Sequence, residues 1–515
     1  MSADVSTRGG ADPGPTHMSA DEFRAAAHEV VEWIIRYHEH TVHEAPVLPN
    51  VKPGDIARAL PAHAPEHPRP WRETLEQFER TILPGVTHWQ APGFHAFFPS
   101  AYSHPSMLGD MLCGALGAVG FLWQGCPAMT EVETVVLDWL GEMIGLPLAF
   151  LDGASNHSGG GVIQGTASEA VLVAMLAARA RGTSALRADS SPDQPPRPNP
   201  APILTAYTST QAHSSIVKAA MVSGIGRENV RLIGVDDRLA LRPDLLEQAI
   251  EKDRAEGRVP FFICATVGTT STTAVDPVPA IGAIAQRHGV WLHVDAAYAG
   301  AAMVCPEFRW MNAGIELADS YNFNPHKWLL TGFDCSALWV RDRRPLIDAL
   351  SITPEYLRNK ASETGAVIDY RDWQVPLGRR FRALKLWFVL RHYGVSGLQA
   401  FIREHVGLAE RFEQMVREDE ARRFEVVTPR VLGLVCIRPR YVGSPSRHDL
   451  DTLTRRIHER INATGQAYLT HTVIPLPDGS GDGYVIRVSI GTASTKLEHV
   501  ERLWRLLCEA ADAES

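Results

Sequence analysis

The chain has 515 residues, 45% hydrophobic and 21% charged. That is the composition of a globular enzyme of two or three domains. Its formal net charge of −9 argues against nucleic acid or an anionic membrane as a main partner. The seven Cys, an odd number with no Cys-x-x-Cys pair, indicate neither a disulfide framework nor structural zinc, so no metal site and a cytoplasmic location are expected.

No apolar stretch approaches ~18 residues, so no transmembrane helix is expected. Residues 1–17 lack an apolar h-region and read as a disordered polar tail, not a signal peptide. Residues 18–102 read as an N-terminal helical segment. Ser19 is a plausible N-cap, and Phe23, Val30, Ile34 and Ile35 form an apolar stripe. His38, Glu39, His40 and His43 have metal-like spacing, but no further ligand pattern follows, which favours a polar helix end.

Residues 103–384 read as a large domain. Thr130-Glu-Val-Glu133 has the form of a capping box ahead of an apolar helical face. Ser168 opens a second helix that Gly182 is expected to close, and 183–202 reads as a surface loop. Apolar runs at Pro202–Tyr207, Val230–Ile233, Phe261–Thr266, Val290–Val294 and near Leu317–Tyr321 read as strands. Helices such as Leu245–Glu256 and Val278–His288 separate them, so the fold class is α/β with a mostly parallel central sheet. Residues 385–515 read as a small C-terminal α+β domain with a helix from Lys385, strands at Leu432–Arg438 and Gly483–Ile490, and a last helix from Lys496.

Two runs resist explanation by packing. One is His293-Val-Asp295-Ala-Ala297-Tyr298-Ala-Gly300, where an apolar strand ends on a carboxylate. The other is Asn322-Phe-Asn324-Pro-His326-Lys327-Trp328. An acid and a lysine at the carboxyl ends of buried strands converge on one crevice. Pyridoxal 5′-phosphate needs that pair: a lysine for the Schiff base, and an acid that keeps the pyridine nitrogen protonated so that the ring is an electron sink. Thr166-Ala167-Ser168 precede a helix, where backbone N–H groups and two hydroxyls can meet a phosphate dianion. The triple glycine Gly159–Gly161 fails as a dinucleotide fingerprint because Gln164 stands where Gly is required.

These runs, with Gln211-Ala-His213-Ser-Ser, Gly165-Thr166-Ala167-Ser168-Glu169 and Trp373-Gln-Val-Pro-Leu-Gly378-Arg-Arg-Phe-Arg382, resemble the group II pyridoxal-phosphate decarboxylases. Within that group the resemblance is to the aromatic-L-amino-acid decarboxylases, from about Met18 to the C-terminus. It implies a fold-type-I, aspartate-aminotransferase-like enzyme. The partner would be a second copy, in a homodimer with shared active sites and an N-terminal helical arm packed on the other subunit. It makes Lys327 the Schiff-base residue and Asp295 the partner of the ring nitrogen. Ala297 and His213 would lie on opposite faces of the ring, and Asn324 and His326 would help seat the phosphate. Thr269 would lie near the cofactor O3′, with Asp276 a weaker candidate.

The same resemblance assigns Tyr356 to reprotonation of the α-carbon; relatives that make aldehydes usually carry Phe there. It assigns an aromatic substrate slot to Trp89, Phe97, Phe98 and Pro99, with Phe121 from the partner subunit. Gly378 stands where phenol-selective plant relatives have Ser, leaving space for an indole. The implied reaction is decarboxylation of a tryptophan-, phenylalanine-, tyrosine- or dopa-type acid to its amine. The alternatives are an oxygen-using aromatic aldehyde synthase, a transaminase with Arg487 as carboxylate clamp, and a non-catalytic scaffold.

Overall fold

The computed structural model describes residues 18–153, 158–188, 203–352, 354–357, 360–363, 367–440, 447–476, 479 and 481–514. The expected tail 1–17 and most of the expected loop, 189–202, lie outside them. The chain divides into two compact units, Met1–His88 and Trp89–Ser515, so the first break comes earlier than 102.

In the first unit the helix Ala20–Arg36 opens on a capping box. Ser19 Oγ accepts from the Glu22 N–H, and the Glu22 carboxylate accepts from the Ser19 N–H. The helix buries Ala26 alone among its residues and leaves Phe23 64% exposed. The run containing His38 and His40 is a π-helical turn, Tyr37–Thr41, that ends this helix. Trp33 stacks on Tyr37 and meets Phe78 edge-on, and the Tyr37 hydroxyl lies 2.8 Å from His88 Nδ1.

The second unit holds two sheets. Its strands in chain order are β1 Phe94–His95, β2 Gly160–Gln164, β3 Leu204–Ser209, β4 Val230–Ile233, β5 Val259–Thr266, β6 Trp291–Asp295, β7 Ser320–Phe323, β8 Ser336–Val340, β9 Phe424–Val426, β10 Leu434–Pro439, β11 Tyr468–Pro475 and β12 Asp482–Ser489. The larger sheet has the order β2-β8-β7-β6-β5-β3-β4. It is parallel from β7 to β4 and antiparallel where β8 joins β7 and β2. Strands β6, β7 and β8 are buried along their whole length, as a sheet covered on both faces requires. The smaller sheet has the order β1-β11-β12-β10-β9. Its parallel β1–β11 pairing sets Phe94 beside Tyr468. That pairing carries the aromatic run after His95 onto the C-terminal sheet.

Several sequence expectations are corrected. Thr130 and Glu133 do not form a cap, because Pro127 starts the helix earlier and it runs Pro127–Ile144. Glu133 is instead a buried acid that accepts from the Ile163 N–H and pairs with Arg379. Gly182 does not end its helix, which continues to Ala188; an interior glycine costs a helix about 1 kcal/mol and stops it only in a left-handed cap. The strand before Lys327 is Ser320–Phe323, and Ile315–Leu317 is a 3-10 turn. The long helix starts at Arg382 and runs to Glu418 with a break at Gly394, so it crosses the expected boundary after 384. Among the described residues no helix is long and apolar enough to cross a membrane.

Candidate functional site

Strands β5, β6 and β7 end together, and the residues at and after their ends enclose a cavity of about 110 Å³. Thr266, Asp295, Ala297, Asn324 and Lys327 line it, together with Thr166, Ala167, Ser168 and His213. The parallel register of β6 with β7 sets Asp295 opposite Asn322. Asp295 is 3% exposed. Its Oδ1 accepts from the Ala297 N–H at 2.9 Å and faces Asn322 Nδ2 at 3.5 Å. Among the described residues no group donates to its Oδ2.

Lys327 sits in the one-turn helix Pro325–Trp328, directly after β7. Its carbonyl accepts from the Ala101 N–H, and its amine lies 5.3 Å from the centre of the Phe98 ring. Burial lowers the amine's pKa from 10.5 to about 8; Asp295 pulls it up and Arg487 pushes it down. His213 lines the cavity with its Nδ1 accepting from the Ser215 N–H. Burial lowers its pKa, against the pull of Asp295 and with the push of Lys327.

The helix start among these lining residues suits an anion. Ala167 begins a helix that runs to Ala188, and Thr166 Oγ1 accepts from the Glu169 N–H in its first turn. Thr166, Ala167 and Ser168 line the cavity at the positive end of this helix dipole. Two further cavity-lining side chains, Asn324 and Thr266, have buried oxygens without a partner. A buried carboxylate with one free oxygen, a lysine with a lowered pKa, an anion cradle and two unpartnered polar atoms together fit pyridoxal 5′-phosphate.

A second cavity of about 570 Å³ adjoins the first and shares Phe98, His213, Thr270 and Lys327 with it. Phe97 and Phe98 form its aromatic wall. Trp89 stacks on Phe97 at 5.5 Å, and Phe98 stacks on Tyr298 at 3.8 Å. Phe97 has φ +52°, a left-handed conformation that costs an L-residue about 1–2 kcal/mol. Arg487 holds this turn in place. It donates to the Phe97 carbonyl (3.2 Å), to Thr470 Oγ1 (2.9 Å) and to the Ser271 carbonyl (3.1 Å), and Thr470 Oγ1 also accepts from the Phe97 N–H. Arg487 is 3% exposed, and burial lowers its pKa.

Not every expected residue lies here. The Thr269 hydroxyl turns into its own loop, accepting from the Ala274 N–H, and Thr270 lines the cavity in its place. The His326 ring is off the cavity wall, with Nδ1 accepting from the Cys335 N–H. Asp276 is buried and holds the Thr266 and Leu241 N–H groups. Pro99 packs against Gly491, where an added Cβ would meet it at 2.4 Å. Trp89 lines neither cavity and touches the wall through its stacking on Phe97. Phe121 and Gly378 also line neither cavity and lie near each other. The Phe121 carbonyl accepts from the Arg371 N–H, the Gly120 N–H donates to the Arg379 carbonyl, and Val119 is 3.7 Å from where a Gly378 Cβ would be. Tyr356 falls in the 3-10 turn Glu355–Leu357, and its side chain lies outside the described residues. Sequence reasoning missed Arg487 as a wall residue, Thr270, and the C-terminal wall formed by His458, Asn462, Tyr468, Thr470 and His471.

Residues 53–440 match the pyridoxal-dependent decarboxylase conserved domain. The chain is 47% identical to the aromatic-L-amino-acid decarboxylase of Bos taurus over 497 residues, covering 96% of this chain and 97% of that one. It is 46% identical to the phenylacetaldehyde synthase of Arabidopsis thaliana, covering 96% of each. The structure superimposes on that of Oryza sativa TDC with PLP and tryptamine with a TM-score of 0.90 at 42% identity, covering 97% of this chain and 99% of that one.

Proposed function

Because the chain belongs to the pyridoxal-dependent decarboxylases, we propose that it converts aromatic L-amino acids to their arylalkylamines and carbon dioxide. Its cofactor is pyridoxal 5′-phosphate. The observation that carries the substrate class is the aromatic wall of Phe97 and Phe98, with the Phe98 ring 5.3 Å from the Lys327 amine and Trp89 stacked on Phe97, a surface on which a flat ring can stack.

Lys327 would carry the cofactor, Asp295 would hold the proton on its ring nitrogen, and Thr166, Ala167 and Ser168 would receive its phosphate. When bound, the cofactor supplies an electron sink for the bond to the departing carboxylate. The chain's own residues do the rest. The aromatic wall orients the substrate ring and excludes water from the face it covers. Burial lowers the pKa of the free Lys327 amine to about 8, which raises the neutral fraction able to capture the cofactor. Tyr356 delivers the proton to the α-carbon. The aldehyde-synthase alternative is supported by the 46% identity to a phenylacetaldehyde synthase and by the likeness to a solved 4-hydroxyphenylacetaldehyde synthase, and Tyr356 opposes it.

The active form is a homodimer in the cytoplasm, with residues 103–384 carrying the cofactor and 385–515 completing the substrate wall. The helix His104–Leu116 exposes Leu108, Met111, Leu112 and Leu116 along one stripe, a face suited to a second copy. Phe121 and Gly378, grouped away from Lys327, would reach the partner's cavity. Amine formation from tryptophan, 5-hydroxytryptophan, phenylalanine, tyrosine and dopa tests the substrate class; no amine from any of the five refutes it.

A further inference from the structure

Behind Asp295, four side chains form a hydrogen-bonded line across β6 and β7. Trp291, His293 and Asp295 alternate along β6, and Ser320 and Asn322 alternate along β7. The register pairs His293 with Ser320 and Asp295 with Asn322, so one sheet face gathers all five. Trp291 Nε1 lies 2.8 Å from Ser320 Oγ, and Ser320 Oγ 2.8 Å from His293 Nδ1. His293 Nε2 lies 2.8 Å from Asn322 Oδ1, and Asn322 Nδ2 lies 3.5 Å from Asp295 Oδ1. None of the five is more than 3% exposed.

The two ends fix the direction of the line. An indole N–H can only donate, so Ser320 Oγ accepts from Trp291 and its own proton goes to His293 Nδ1. A carboxylate can only accept, so Asn322 presents its NH₂ to Asp295 and its oxygen to His293, which must donate from Nε2. Both ends require the same tautomer of His293. The reverse direction would strand the buried Ser320 proton and set an amide oxygen against a carboxylate. Burial also holds the His293 pKa at about 4, so the ring is neutral.

We propose that Trp291, Ser320, His293 and Asn322 are positioning residues that aim Asp295. With the Ala297 N–H they occupy Oδ1 and turn Oδ2 toward the cofactor's ring nitrogen. The inference rests on the proposed role of Asp295 and is independent of which amino acid is the substrate.

The test is solid-state ¹⁵N NMR of the holoenzyme with labelled histidine, the His293 signals being assigned by loss in His293→Gln. The expected spectrum has a protonated Nε2 and a bare Nδ1; a protonated Nδ1 overturns the proposal. A second arm uses cofactor labelled at the ring nitrogen. Trp291→Phe keeps an aromatic ring and removes the first donor, and Asn322→Leu removes the last. Both should move the ring-nitrogen signal toward the unprotonated form. They should lower kcat about tenfold with KM within about twofold, the size of one lost hydrogen bond. An unmoved ring-nitrogen signal in folded Trp291→Phe, with only a lower melting temperature, shows mere structural support and overturns the proposal. Neither NMR arm needs a substrate, so failure of the aromatic reading in the amine assay stays distinguishable.

Discussion

Arg487→Met tests how the substrate wall is held. Methionine keeps much of the side chain's length and removes its N–H donors. The Phe97 and Ser271 carbonyls then lose bonds of 3.2 and 3.1 Å, and Thr470 loses one of 2.9 Å. Each carbonyl left buried without a donor costs about 1–3 kcal/mol. Against this, the variant no longer buries a guanidinium whose three partners are all neutral, which regains several kcal/mol. Global stability should therefore change by less than about 2 kcal/mol, read by denaturant unfolding. The local effect does not cancel. The left-handed turn at Phe97 stores about 1–2 kcal/mol, and without Arg487 its remaining hydrogen bond among the described residues is to the Thr470 hydroxyl. Relaxation moves the Phe97 ring off Trp89 and spoils the slot, so KM should rise about 5–30-fold while kcat changes less. Steady-state kinetics with tryptophan and phenylalanine read the split. An unchanged KM for both, with stability lower by more than about 3 kcal/mol, would show that Arg487 only supports the fold.

Lys327→Ala should abolish turnover and the visible absorbance of the lysine-bound cofactor; near wild-type activity would refute the assignment of the site. The lysine must be neutral to capture the cofactor, and its pKa is lowered to about 8, so loading of cofactor-free enzyme should speed up about tenfold per pH unit below 8 and level off above it. A rate still climbing at pH 10 in stopped-flow absorbance would contradict this. Gly378→Ser should fold normally, since an added Cβ meets only Val119 at 3.7 Å, and should shift preference from indole to phenol substrates by about 1–3 kcal/mol in relative kcat/KM. An unchanged tryptophan-to-tyrosine ratio removes Gly378 from the pocket. Tyr356→Phe should keep carbon dioxide release but replace much of the amine by aldehyde, ammonia and hydrogen peroxide, with amine output down about 10²–10⁴-fold; amine still equal to carbon dioxide would clear Tyr356 of proton donation.

Much of the site was legible because its chemistry lies in short runs. The strand ending on Asp295, the Pro-His-Lys turn and the Thr-Ala-Ser helix start all stand where the residues alone place them. Val230–Ile233 and Val278–His288 match observed elements to the residue. What was not legible depends on tertiary partners. Strands β2 and β8 are the antiparallel edge of a parallel sheet, and a Gly-rich run gives no period to read. The Thr130–Glu133 pattern misled because a buried Arg379 claims Glu133 from 246 residues away. Arg487 and the C-terminal wall reach the cavity only because β1 pairs with β11, a pairing of two residues that no periodicity announces. The line behind Asp295 appears only when the β6–β7 register is known.

The most direct measurement is the stoichiometry of the wild-type enzyme in air, with carbon dioxide, amine and hydrogen peroxide followed together for each of the five aromatic acids. The account predicts at least one acid from which amine equals carbon dioxide and no peroxide appears. Peroxide equal to carbon dioxide, with aldehyde in place of amine, would contradict it.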